Sequence, residues 1–179
     1  MRSIILFFFI TFCNLIDVST QNPYRSVEGH IVISSTYCGE TVLAESHQLN
    51  LFLDYSSKKF SGKLDLKTLD TGIDSLNILL DSLMTKQILF YGFIPDDDFI
   101  DWEHLVREFA IPVTLEINGE RLIQTLNIAL NHFNNSNNFA CLLSGVMELD
   151  ISNMENQIKG LDNKIEVNFT QVLMRKDKH

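Results

Sequence analysis

The side chains best able to do chemistry in this chain are few, and their spacing does not gather them. Five histidines and three cysteines are spread over 179 residues. A zinc-type centre needs histidine, cysteine or carboxylate ligands at a spacing that returns them to one face, such as i, i+4 on a helix. His30, His47, His104, His132 and His179 contain no such pair. His104, beside Trp102 and Glu103, is the most suggestive for proton transfer, and its plain reading is a surface or half-buried histidine. Asp96-Asp97-Asp98 offers the oxygens that calcium takes, but without the spaced ligands of a calcium loop it reads as a solvated turn. There is no Gly-x-Ser-x-Gly elbow and no phosphate-cradling glycine loop. Neither Cys38 nor Cys141 has a basic neighbour that would lower its pKa. These residues point to no enzyme activity, no metal and no cofactor.

The first twenty residues say where the protein works. Met1-Arg2-Ser3 is followed by the apolar run from Ile4 to Phe12, and the chain turns polar from Asn14 to Asn22. A short positive start, a short apolar core and a polar exit are the pattern of a secretory signal peptide, with Val18-Ser19-Thr20 as the exit. The run is too short to span a bilayer, which takes roughly 20 apolar residues. Acylation at Cys13 is the alternative, and bulky Phe12 stands where a small residue is expected before a lipidated cysteine. The expected division is a leader over 1–20 and a single domain over 21–179. That places the protein outside the cytoplasm, periplasmic or secreted, with no stable membrane anchor.

The formal charge is −9 and the acids are dispersed, so phosphate backbones are repelled and nucleic acid is excluded as a partner class. Cys38 and Cys141 survive processing. In an oxidising compartment an even pair favours a disulfide, and the other reading is two thiols acting as small apolar residues. Asn134-Asn135-Ser136 and Asn168-Phe169-Thr170 match the glycosylation sequon, which has meaning only in a eukaryotic host.

The elements that would position any site are mostly strands. Leu49, Leu51 and Leu53 fall on one face of a strand over Gln48 to Tyr55. Leu64 and Leu66 alternate with Lys63, Asp65 and Lys67 in the next strand, and the short polar link Ser56 to Lys59 makes the two a hairpin. Val113 to Ile117, Asn118-Gly119 and Glu120 to Gln124 form a second hairpin, because a type I′ turn needs positive φ at both central positions. That turn pairs Ile117 with Glu120, Glu116 with Arg121, Leu115 with Leu122, Ile111 with Leu126 and Phe109 with Ile128. Opposite charges meet on one face and apolar residues on the other. Further strands are expected over Gly29 to Thr36, over Lys86 to Ile94 with both faces apolar, over Phe139 to Ile151, and over Ile165 to Leu173. In the last of these Ile165, Val167, Phe169 and Leu173 share a face. Ile73, Leu76, Leu79, Leu80, Leu83 and Met84 recur at a helical period, so a short helix is expected against a sheet or over a barrel end. One helical turn is expected around Trp102 to Val106. The sum is an all-β antiparallel barrel of about eight strands with one short α-helix.

In its order of parts the chain resembles the YceI-like family of polyisoprenoid-binding, lipocalin-like periplasmic proteins. The resemblance runs through the paired strands Leu49 to Leu69, the Thr-Gly step at Asp70-Thr71-Gly72-Ile73, the hairpin Val113 to Glu120, and the return strand Phe139 to Ile151. The family's Arg-Asp-x-His pattern after the Thr-Gly step is absent, since the helix here reads Ile73-Asp74-Ser75-Leu76-Asn77. The resemblance implies a lipocalin-like barrel around a tunnel for a long isoprenoid chain. Alternation places Leu51, Leu53, Leu64, Leu66, Phe90, Phe109, Ile111, Leu115, Leu126 and Ile128 inward. With the resemblance these become ligand-binding positions for an isoprenoid or other lipid. Without it, the same residues are a filled core in a secreted β-domain that acts through its surface. The leader is open to direct test: N-terminal sequencing of the exported protein is expected to start between about Val18 and Pro23, and a chain retaining Met1 or starting at acylated Cys13 refutes it.

Overall fold

The computed structural model describes residues 23–26, 28–83, 86–95, 106–117, 119–133, 139–154 and 158–176. The expected leader with Cys13, Met84, the acidic triplet from Asp96, Trp102, His104, Asn118, the loop 134–138 and His179 lie outside them. Nine strands follow in chain order: β1 Pro23–Ser26, β2 Gly29–Tyr37, β3 Glu40–Asp54, β4 Lys59–Asp65, β5 Gln87–Phe93, β6 Val106–Ile117, β7 Glu120–His132, β8 Phe139–Asp150 and β9 Lys164–Lys176. The helix α1, Asp74–Ser82, lies between β4 and β5. The antiparallel ladder runs β3-β2-β9-β8-β7-β6-β5-β4 and closes where β4 pairs with β3. β1 adds no further stave. It pairs with the end of β3 and the end of β9, in the place left open where β2 begins at Gly29. The result is a closed eight-stave antiparallel barrel with one helix, the class expected from alternation.

The β6–β7 hairpin has the register that its turn implies. Ile117 pairs with Glu120, Glu116 with Arg121, Leu115 with Leu122, Ile111 with Leu126 and Phe109 with Ile128. Gly119 takes φ +81°, which favours glycine. Arg121 grips Glu116 through Nη2 at 2.9 Å and Nε at 3.0 Å on the outer face. β5 explains its own two-sided apolar pattern. Phe90, Gly92 and Ile94 face the interior, while Leu89, Tyr91 and Phe93 lie exposed on the outer wall.

Three strands depart from simple alternation: β3, β9 and the start of β8, where a register shift between Phe139 and Cys141 leaves Ala140 and Cys141 both buried. β3 starts at Glu40, eight residues earlier than the strand expected from Gln48, and turns back from β2 through Cys38-Gly39, both at positive φ. Between the pairs Ile31–Ser46 and Gly29–Leu49 the strand β3 carries one extra residue. Its buried positions therefore switch from Val42, Ala44 and Ser46 to Leu49, Leu51 and Leu53. β9 does the same between its pairs with Leu143 and Gly145. There Gln171 sits at φ 51° and its N–H donates to Ser144 Oγ at 2.9 Å. Phe169 is inward before this bulge, and Val172 and Met174 are inward after it. The expectation that Leu173 shares the face of Phe169 is thus corrected, because the inserted residue reverses the parity of everything beyond it.

The disulfide expectation is also corrected: Cys38 and Cys141 are both free thiols. Cys38 occupies the β2–β3 turn, four residues beyond Ser34, which pairs with Glu166. Cys141 pairs with Met174, eight residues farther along β9. At about 3.3 Å per residue the two sit near opposite barrel ends, well outside bridging range.

The wall is not hydrogen-bonded along its whole length. β7 and β8 pair from Asn127–Val146 to His132–Cys141. Past Val146, β7 residues 120–126 pair only with β6 and β8 residues 147–150 only with β9, so the staves diverge.

Two glycines admit aromatic rings to the inner wall. A Cβ on Gly62 would lie 2.0 Å from Phe90 Cζ, and one on Gly145 would lie 2.3 Å from Phe169 Cζ. Each ring therefore lies across the glycine of the neighbouring strand. Gly145→Ala is expected to destabilise by about 1–3 kcal/mol through overpacking. In a Phe169→Leu background the same change is expected to cost clearly less, and additive urea-denaturation free energies for the pair would refute the contact.

Candidate functional site

A cavity of about 180 Å³ occupies the barrel end beneath α1. Its walls come from β2 to β6, β8 and β9, its roof from α1 and from the β8–β9 connection at Met154, Ile158 and Leu161. Leu80, Leu83, Ile88, Ile117, Leu161 and Ile165 at its rim are half-buried, so the cavity reaches the surface there.

The helical part of the roof is tied down at its N-terminal end. α1 begins at Asp74 with Ile73 as a cap that makes no side-chain hydrogen bond. The capping work falls to its surroundings. Thr71 N–H donates to Asn77 Oδ1 at 3.0 Å, the Thr71 hydroxyl lies 2.8 Å from the same oxygen, and Ile73 N–H donates to Thr71 Oγ1 at 3.1 Å. Asp70 Oδ1 accepts from Gly72 N–H and from Asn77 Nδ2, which lowers the carboxyl below its ordinary value. Asp70 is itself fixed to β3 by two backbone hydrogen bonds with Glu45, each 2.9 Å. Within α1 only Leu76 is fully buried, and Ile78 and Leu79 are exposed.

The lining is almost wholly apolar. Among the described residues Ser35 and Thr71 are its only polar lining residues, and both hydroxyls are used by the fold. Ser35 Oγ donates to Lys164 O at 3.1 Å, and Thr71 acts in the helix start. Such a cavity can exclude water and hold apolar matter by buried area, and among the described residues no lining group can ionise.

Of the residues read as inward from sequence, Leu64, Leu66, Phe90 and Leu115 line the cavity. Leu51, Leu53, Ile111, Leu126 and Ile128 are 1–3% exposed and fill the other half of the barrel. Phe109 packs half-buried against that filled half. Sequence reading passed over Val42 and Ala44, whose alternation in the first half of β3 was the available signal. Leu76 and Leu80, expected on the apolar face of a helix against a sheet or over a barrel end, were not among the expected ligand positions and line the roof.

The far end of the barrel carries a polar cluster instead. Tyr55 Oη lies 3.2 Å from His132 Nε2 and 3.7 Å from Cys141 Sγ, and the Tyr24 ring packs edge-on to Tyr55. Burial pushes the Cys141 thiol up to about 12, although the hydrogen bond from Tyr55 works against it. Burial and the neighbouring Cys141 raise Tyr55 as well. A thiol kept protonated is the reverse of an activated nucleophile. On the outer wall His30 stacks on His47 at 4.6 Å with Glu45 3.5 Å from His30 Nε2. Among the described residues, no group of three or more histidine, cysteine or acidic side chains is arranged to hold a metal ion. Nearby, at the β3–β4 turn, burial pushes the Asp54 carboxyl up, and hydrogen bonds donated by Ser56 and Ser57 more than offset this, leaving it below the usual range.

No protein-family model matches the sequence, and no curated protein does. The fold is similar to that of a polyisoprenoid-binding domain from Saccharophagus degradans implicated in plant cell wall breakdown. The TM-score is 0.66 over 87% of this chain and 98% of that one, at 11% sequence identity. The likeness is one of fold.

The far-end cluster carries a pH signature. In the unfolded chain the Cys141 thiol ionises near its ordinary 9.0, and in the fold only near 12. Stability is therefore expected to be fully present below pH 9 and to fall as pH rises from 9 to 12. Urea midpoints across this range are expected to fall less steeply in Cys141→Ala, and an equal slope refutes the assignment. In native protein a thiol reagent is expected to label exposed Cys38, and to reach Cys141 only on unfolding.

Proposed function

We propose that this is an exported binding protein that holds the apolar part of a lipid, isoprenoid-like or acyl, inside its barrel. One observation carries the reading: a cavity with two polar lining residues, both hydroxyls already engaged by the fold. Nothing there favours a charged or strongly polar ligand, whose buried groups would go unpaired. The similarity of fold to a polyisoprenoid-binding domain supports the same class of ligand. The leader pattern over residues 1–20 supports export. A buried thiol of high pKa and a cavity whose described lining residues carry no ionisable group favour binding over catalysis.

A second reading has its own observation. Leu89, Tyr91 and Phe93 form an exposed apolar stripe on the outer wall, as a β-domain working through its surface would present.

The two readings part on a paired measurement. Mass spectrometry of organic extracts of the purified protein is expected to find a co-purifying lipid, and an isoprenoid or fatty acyl probe is expected to bind saturably. Met147→Trp, which fills the cavity from β8, is expected to weaken the probe at least tenfold with a small change in Tm. Absence of saturable binding by the parent protein leaves only the surface reading.

A further inference from the structure

The cavity does not continue through the barrel, and its depth limits what can enter. This inference rests on the binding reading above and specifies its ligand. We propose that the barrel admits only a short apolar segment, about six to eight carbons, and that the rings of Phe90 and Phe169 set this limit.

The first argument is volume. A dry cavity of roughly 150 Å³ in another protein takes one benzene molecule. The cavity here is about 180 Å³. It therefore has room for a ring-sized group or the end of a chain, and the remainder of a longer molecule must lie outside the rim.

The second argument is the floor. Phe90 is the deepest lining residue on β5, and the next inward position, Gly92, does not reach the cavity. On β9 the lining stops at Val167, and Phe169 is the next inward residue. Both rings occupy space that a side chain on Gly62 or Gly145 would deny them. Beneath Phe90, Phe60 packs at 5.8 Å between ring centroids and is 1% exposed. The interior below that level is filled, with Val113 at 0% and Leu126 at 1% exposure. A chain entering under α1 thus meets aromatic rings instead of a tunnel.

The test is a chain-length series on the native protein. Straight-chain alcohols from butanol to dodecanol, kept below their solubility limits, are titrated and followed by methyl chemical shifts. Each newly buried CH₂ is expected to tighten binding about fourfold. The gain is expected to stop at about six to eight carbons and to stay flat beyond. Phe90→Leu and, separately, Phe169→Leu are expected to move the break to longer chains, with folding checked by Tm. If affinity climbs steadily past ten carbons in the native protein, the length limit is overturned while the binding reading stands. If no member of the series binds saturably, the binding reading falls and the limit with it. A break at the expected length that neither folded variant moves overturns the role of the two rings. Should one variant fail to fold, the other and the native series still decide.

Discussion

Closure of the backbone ladder is the constraint on which the rest depends. Asn50 to Asp54 of β3 pair with Lys63 to Lys59 of β4, and that seam turns an eight-strand sheet into a barrel. An open sheet of this composition would leave one apolar face to water or need a second layer to cover it. Closed, it covers its own face and needs only its ends stopped. α1 stops one end and the Tyr24, Tyr55 and His132 cluster occupies the other. β1 serves the same closure. Without it the ends of β3 and β9 would lack a partner where β2 begins.

The bulges in β3 and β9 let strands of 15 and 13 residues follow this curved wall. They also decide which part of the fold was legible in the sequence. The β6–β7 hairpin carries no insertion, so period two held from Phe109 to Ile128 and every expected pair was found. Where a residue is inserted, alternation is correct on each side and misleading across the join. That is why Leu173 was misplaced and why the first half of β3 went unread. Nothing in Gln171 as a residue type announces positive φ, and at the bulge its N–H donates to Ser144 Oγ across the ladder.

Inwardness was legible and emptiness was not. The same pattern of Leu and Ile marks Leu115, which borders the cavity, and Ile128, which sits in the filled half. Whether an inward side chain meets another side chain or a void depends on sums of volume around the whole ring of staves, and no local spacing encodes that sum. Cys38 is a similar case. Its type suggested a covalent partner, while its place in a two-residue turn gives it a conformational duty at φ 53°. Two cysteines far apart in sequence carry no information about distance until topology assigns them to barrel ends.

The divergence of β7 from β8 leaves two runs of peptide groups, 121–126 and 147–150, without a ladder partner on one side. Such a gap is an unfinished edge in the barrel wall, and an unfinished edge is a template for strand addition by another chain. Its margins carry charge of both signs, with Lys164 beside Asp150. Glu120 and Arg121 stand along one side, and Glu148 and Asp150 along the other, with Glu148 directly beside Glu166. Like charges placed opposite one another weaken a sheet from within, and Glu148 opposite Glu166 is such a pair, whereas Asp150 stands opposite Lys164. The barrel thus tolerates a local electrostatic penalty in its own wall, beside a stretch where its hydrogen bonding is incomplete.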